Sequence, residues 1–137
     1  MRFIYLDTSA FLRGCLDGAD DHAAALGLLM SEPRRLISSE LLGLEADRAA
    51  VRIASEQAPG VDAPTIIRNA LRRVNLVTLD HTIINAARAI PQVVKSLDAI
   101  HLATAEWLGE VIDCMVTTVA RQRGLTACTA AALALAA

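Results

Sequence analysis

Short apolar runs alternate along this chain with longer stretches of helical period. "RFIYLD" is a run of strand formers ending on Asp7, and "TSAFLRGCL" opens a short helix directly after it. "ADDHAAALGLLMSE" predicts a second helix, rich in Ala and Leu and ended by Pro33. "RLIS" predicts a short strand. Ser38 or Ser39 can then cap a long helix, "ELLGLEADRAAVRIASE", in which Leu41, Leu44, Ala49 and Val51 share one broad apolar face. Pro59 and Gly60 break the chain. "DAPTIIRNALRRV" is a further helix with Asp62 as its cap, "NLVTL" a strand, and "DHTIINAARAI" a helix stopped by Pro91. "SLDAIHLATAEWLG" is the clearest helix: Ser96 can cap it, while Leu97, Ile100, Leu102 and Ala105 pack inward. "VIDCMVTT" is a strand. The tail beyond it is open between a strand at "LTACT" and an Ala-rich helix.

Strands alternating with helices predict an α/β fold with a mainly parallel sheet between helices. With 137 residues and no repeat or linker, one domain over 1–137 is expected. Composition refines this. Hydrophobic residues make up 54% and aromatics only 3%, so the core must be built from Leu, Ile, Val and Ala. A mean hydropathy of +0.42 fits strands buried on both faces, or apolar surface kept for a partner. No run reaches the ~18 apolar residues of a membrane span, and the chain meets Asp7 too early for a secretory signal. Cys15, Cys114 and Cys128 have no CxxC spacing, which suits reduced thiols and a cytoplasmic location.

Three carboxylates carry the candidate chemistry. Ligands of parallel α/β sheets bind beyond the carboxyl ends of strands, and Asp7 lies at such an end. Alone, it reads as a helix cap. Glu40 and Glu45 are five apart, hence separated by roughly 140° on their helix, and cannot both face one site well. Asp98 falls in the first turn of its helix, where a carboxylate also complements the dipole. If Asp7, Glu45 and Asp98 converge, two anions about 4 Å apart repel by roughly 4 kcal/mol at an effective dielectric of 20. Such a cluster needs protons or a cation, and all-oxygen ligands favour Mg²⁺ or Mn²⁺ over zinc. A hard cation there polarises a phosphoryl oxygen and lowers the pKa of a bound water.

"IYLDTSAFL", "LISSELLGLEADRAAV" and "SLDAIHLATA", in this order and at these separations, resemble the three signature blocks of PIN-domain nucleases. The resemblance is closest to the VapC-type toxins of toxin–antitoxin pairs and covers residues 1 to 118. It implies a PIN-like α/β/α sandwich with four or five strands. It makes Asp7 the first metal-binding acid, with Thr8 and Ser9 beside it and Ser9 the closer support. Glu45 and Arg48 match a Glu-x-x-Arg pattern, leaving Glu40 as an alternate acid. Asp98 is the third acid and second metal ligand, and His101, one turn on, is expected to pack or hydrogen-bond. The resemblance further implies an RNA substrate, a homodimer, and a cognate antitoxin whose peptide covers the active groove.

One departure stands near the end. The family follows its fourth strand with Thr-x-Asp; here "MVTTVARQRGL" supplies Thr117 but places Val119 where the acid is expected. Asp113 is no substitute, because it lies roughly 13 Å below Thr117 along the strand.

Net charge is −2, so the molecule as a whole does not attract nucleic acid, and contact must be local. Twelve of the thirteen basic residues are Arg, Lys95 being the exception. Arg121 and Arg123 fall near the expected active edge and are candidate phosphate contacts; Arg68, Arg72 and Arg73 read more simply as a solvated helix face, and Arg48 as a partner for Glu45. Three functions compete on the sequence. The first is a Mg²⁺- or Mn²⁺-dependent endoribonuclease toxin with Asp7, Glu45 and Asp98 catalytic. The second is a degenerate PIN module that binds RNA or antitoxin and cuts little because of Val119. The third is another acidic-pocket α/β protein; a phosphatase or receiver domain lacks support in the spacing around "DTSAF" and in the position of Lys95.

Overall fold

The computed structural model describes residues 3–16, 35–56 and 62–116; of Arg13, Leu16, Asp113, Cys114 and Val116 it describes the backbone alone. Four short strands, β1 (Phe3–Leu6), β2 (Leu36–Ser39), β3 (Val74–Val77) and β4 (Ile112–Val116), form one sheet in the order β3-β2-β1-β4. Every pairing is parallel. Strands this short and apolar suit a sheet covered on both faces.

Successive side chains point to opposite faces, and the core divides accordingly. Leu6 and Leu36 face one side, with α1 (Thr8–Leu16), α2 (Leu41–Glu56) and α3 (Ala63–Leu71) packed there through Phe11, Leu42, Ala46 and Ile67. Tyr5 and Ile37 face the other, under Leu102 and Ala105 of α5 (Ser96–Leu108) and Met115 of β4. Helix α4 (His81–Arg88) packs against α5 on that side. The expected α/β/α sandwich with a parallel sheet is thus the observed fold.

Local signals decide most boundaries. The Asp62 carboxylate accepts the Thr65 amide at 3.2 Å and starts α3; Asp80 accepts the Ile83 amide at 3.1 Å and starts α4. Ser39 Oγ accepts the Leu41 amide at 3.1 Å at the head of α2. Ser96 does not cap α5. It is the first helical residue, and Lys95 stands at the cap position with no side-chain bond. Helix α5 ends on Gly109, whose φ of 56° and ψ of −122° lie where a β-carbon is disfavoured.

The buried face of α2 also differs from expectation. Leu44 and Val51 are 61% and 57% exposed, and the face in the core is Leu41, Leu42, Ala46, Ala49 and Ala50. The larger side chains mark the wrong stripe because small alanines let the helix lie close to its neighbours. The predicted helix at 19–31 and the tail beyond β4 fall outside the described residues.

Candidate active site

The strand order reverses at β1. The chain leaves β1 toward β2 on one side and returns as β4 on the other. A crevice opens beyond the carboxyl end of a strand at such a point, and Asp7 is the first residue past it. Asp7 is buried, 6% exposed. Its Oδ1 accepts the Ala10 amide at 2.8 Å and its carbonyl the Phe11 amide at 3.0 Å. The capping role read from the sequence is therefore real, and it fixes the carboxylate at the rim of the sheet.

Beside it, three elements meet. Thr8 donates its hydroxyl to Glu45 Oε1 at 2.6 Å. The same oxygen lies 3.0 Å from His101 Nε2, and Nε2 lies 3.2 Å from Thr8 Oγ1. On the far side of the ring, Nδ1 lies 2.8 Å from the Tyr5 hydroxyl, which also accepts the Ser39 amide at 3.2 Å. Residues from β1, α1, α2 and α5 thus form one chain of bonds, Tyr5–His101–Glu45–Thr8. A carboxylate accepts, so Nε2 carries a proton toward Glu45. On its other side the ring meets the Tyr5 hydroxyl through Nδ1.

Burial alone would raise the Glu45 carboxyl. The hydrogen bonds from His101 and Thr8, with the attraction of the His101 ring, outweigh it and hold Glu45 below the ordinary carboxylate range. Burial drives the Tyr5 phenol in the other direction, well above its usual value, and keeps it a donor. His101 is 2% exposed and both ring nitrogens are engaged, so it orients Glu45 by hydrogen bonds, as expected.

Asp98 lies in the first turn of α5, partly buried, three residues before His101 and so on the same helix face. Its neighbour Leu97 lines a groove beside Thr8 and Glu45, while Asp98 itself is not among the residues of that groove. Glu40 points elsewhere. Its Oε1 accepts the Leu79 amide at 2.6 Å and its own amide bonds the Val77 carbonyl, tying it to the end of β3 on the opposite side of β2. Glu40 precedes α2, so these bonds to the end of β3, and not its angular offset from Glu45 on a helix, set its direction.

Two expectations are corrected. The hydroxyl in the network is that of Thr8, whereas Ser9 is exposed. Glu45 pairs with His101 and not with Arg48, which stands exposed on the wall of a neighbouring groove. The reason is direction: Glu45 turns toward β1 and α5, and His101 reaches it from the buried side. Thr117, Val119, Arg121 and Arg123 lie outside the described residues. Among those described, no group of three His, Cys, Asp or Glu is placed to hold a metal ion. Sequence reasoning missed Tyr5. Its signal was available, since the chain's one tyrosine sits in a buried strand and a buried phenol needs a partner.

The groove holds about 560 Å³ and is lined by Thr8, Glu45, Arg48 and Arg52, with Leu12, Leu41, Leu44 and Leu97 also on its walls. The PIN domain family pattern matches residues 4–130, nearly the whole chain. The chain belongs to the PIN-domain family. Among curated proteins this PIN domain is similar to Ribonuclease VapC35 of Mycobacterium tuberculosis, with 36% identity over 109 residues, 79% of this chain and 76% of that one. It is also similar to Ribonuclease VapC46 of the same species, with 34% identity over 110 residues, 80% of this chain and 78% of that one. No solved structure matches it. The VapC-type character read from the three sequence blocks therefore holds.

Proposed function

We propose that this PIN domain is a VapC-type endoribonuclease toxin that hydrolyses RNA phosphodiesters with the help of Mg²⁺ or Mn²⁺. A cognate antitoxin would hold it inactive, and it would act as a homodimer in the cytoplasm. The observation that carries the reading is the pairing of a buried Asp7 at the switch point with a neighbouring Glu45 held ionised by Thr8 and His101. Two relatives named as ribonucleases, covering about four-fifths of the chain, support the reaction class. Among the described residues no helix is long and apolar enough to cross a membrane.

The donor set suits a hard cation. Asp7 and Asp98 offer carboxylate oxygens, and the one histidine beside them already spends both nitrogens on Tyr5, Glu45 and Thr8. A group of three protein ligands is not needed, because Mg²⁺ keeps several waters and is held by one or two carboxylates. When bound, such an ion supplies charge at a phosphoryl oxygen and acidifies water. The chain's own residues do the rest. Asp7 and Asp98 would hold the ion, Glu45 would orient the attacking water and take up its proton, and Thr8 and His101 would keep Glu45 ionised and aimed.

RNA cleavage under a metal titration tests this. Activity should require Mg²⁺ or Mn²⁺, and Asp7→Ala or Asp98→Ala should abolish it. Cleavage that persists in excess chelator overturns the metal-assisted reading.

A further inference from the structure

The groove that leaves Thr8 and Glu45 is not uniformly acidic. Arg48 and Arg52 both line it, and both are exposed. They are four residues apart on α2, so they sit on one face, about 6 Å apart along the axis. Glu45 precedes Arg48 by three residues on the same helix, which places acid and arginines in a row on one rigid element. Neither arginine is used to hold Glu45, whose partners are Thr8 and His101. Their neighbours Leu41, Leu44 and Leu97 leave the guanidinium groups no carboxylate partner along the groove except Glu45 itself.

We propose that Arg48 and Arg52 grip two successive backbone phosphates of a single-stranded RNA and so set the register of the strand at Thr8 and Glu45. This rests on the ribonuclease reading above and adds the residues that bind the substrate. The planar guanidinium suits bidentate contact with phosphate oxygens, and the helical repeat of about 6 Å matches consecutive phosphates of an extended strand. The leucines beneath accommodate the apolar faces of sugars and bases. With a net charge of −2, the protein has little long-range pull on RNA, so a local pair of cations is where its binding would concentrate.

The test is salt-dependent binding of a labelled single-stranded RNA in excess chelator, where no cleavage occurs, measured for the full chain and for Arg48→Gln, Arg52→Gln and Arg68→Gln. The slope of log K against log salt should become shallower by about 0.7 for each groove arginine removed. Arg68→Gln, on α3 and away from the groove, should leave it unchanged. Arg52→Lys, which keeps the charge, should also keep the slope, and this separates phosphate contact from misfolding. In the cleavage assay Arg52→Gln should raise KM and spare kcat. Unchanged slopes with cleavage intact overturn the inference and leave the ribonuclease reading standing; the pair would then belong to an acidic segment of a protein partner. Absence of both binding and cleavage overturns the two together.

Discussion

At the scale of single residues, the Tyr5 hydroxyl has the most dependents. It satisfies His101 Nδ1 and the Ser39 amide at once, in a site with no exposure to water. Tyr5→Phe keeps the ring and strands both groups, at a cost of about 1–3 kcal/mol in a denaturant titration. Cleavage should fall as well, because a histidine freed on one side no longer fixes Glu45 on the other. Glu45 also gives the pH dependence. Its folded pKa lies below its unfolded value of 4.5. The folded state therefore binds fewer protons, and the contribution is fully present above pH ~4.5 and is lost as pH falls through the lower, folded value. Thermal melts from neutral pH into that acid range should show a fall in stability that Glu45→Gln reduces. A fall of the same size in the variant would mean that Glu45 is not its source.

At the scale of elements, α2 and α5 define the site, since Glu45 rides on one and His101 and Asp98 on the other. The end of α5 is fixed by Gly109, and a β-carbon at its φ and ψ is strained even though the surrounding space is open. Gly109→Ala should cost about 1–3 kcal/mol, read as a lowered Tm, although nothing lies close to the new methyl group. The elements also show what the sequence could and could not reveal. Asp62 and Asp80 were legible as caps because a short carboxylate before a helix has one dominant use. Ser96 was not, since the same residue type is tolerated one position further in. Leu41 and Ala49 are buried as expected, but Leu44 and Val51 misled, because hydrophobicity marks both a core and an exposed surface. Leu44 turned out to line the groove, and alanines took the core. The cap at Asp7 and the first-turn place of Asp98 could be read from their positions at strand and helix ends. The choice of Thr8 over Ser9 could not, because it depends on where α5 lies.

At the scale of the whole molecule, one sheet joins two cores, and neither set of helices can pack without it. Phe11 belongs to one core and Leu102 to the other, both fully buried. Phe11→Ala should cost about 3–5 kcal/mol and Leu102→Ala about 2–5. Both variants should still unfold in one cooperative transition followed by circular dichroism and by Trp107 fluorescence. Two separated transitions would mean that the layers fold independently. The parallel order β3-β2-β1-β4 was foreseen in kind, from strands alternating with helices, though not in sequence around the sheet. Register and strand order depend on long-range packing that no local pattern encodes.

The same order has a consequence for synthesis. Strand β1 is made first, yet one of its two neighbours is β4, and Thr8 meets His101 across 93 positions of chain. Until His101 has emerged from the ribosome, Glu45 lacks the imidazole that helps keep it charged, and β1 lacks one of its edges. A growing chain thus lacks this bond network until late in synthesis. The Tyr5–His101–Glu45–Thr8 network can close only after nearly all of the described fold has been translated.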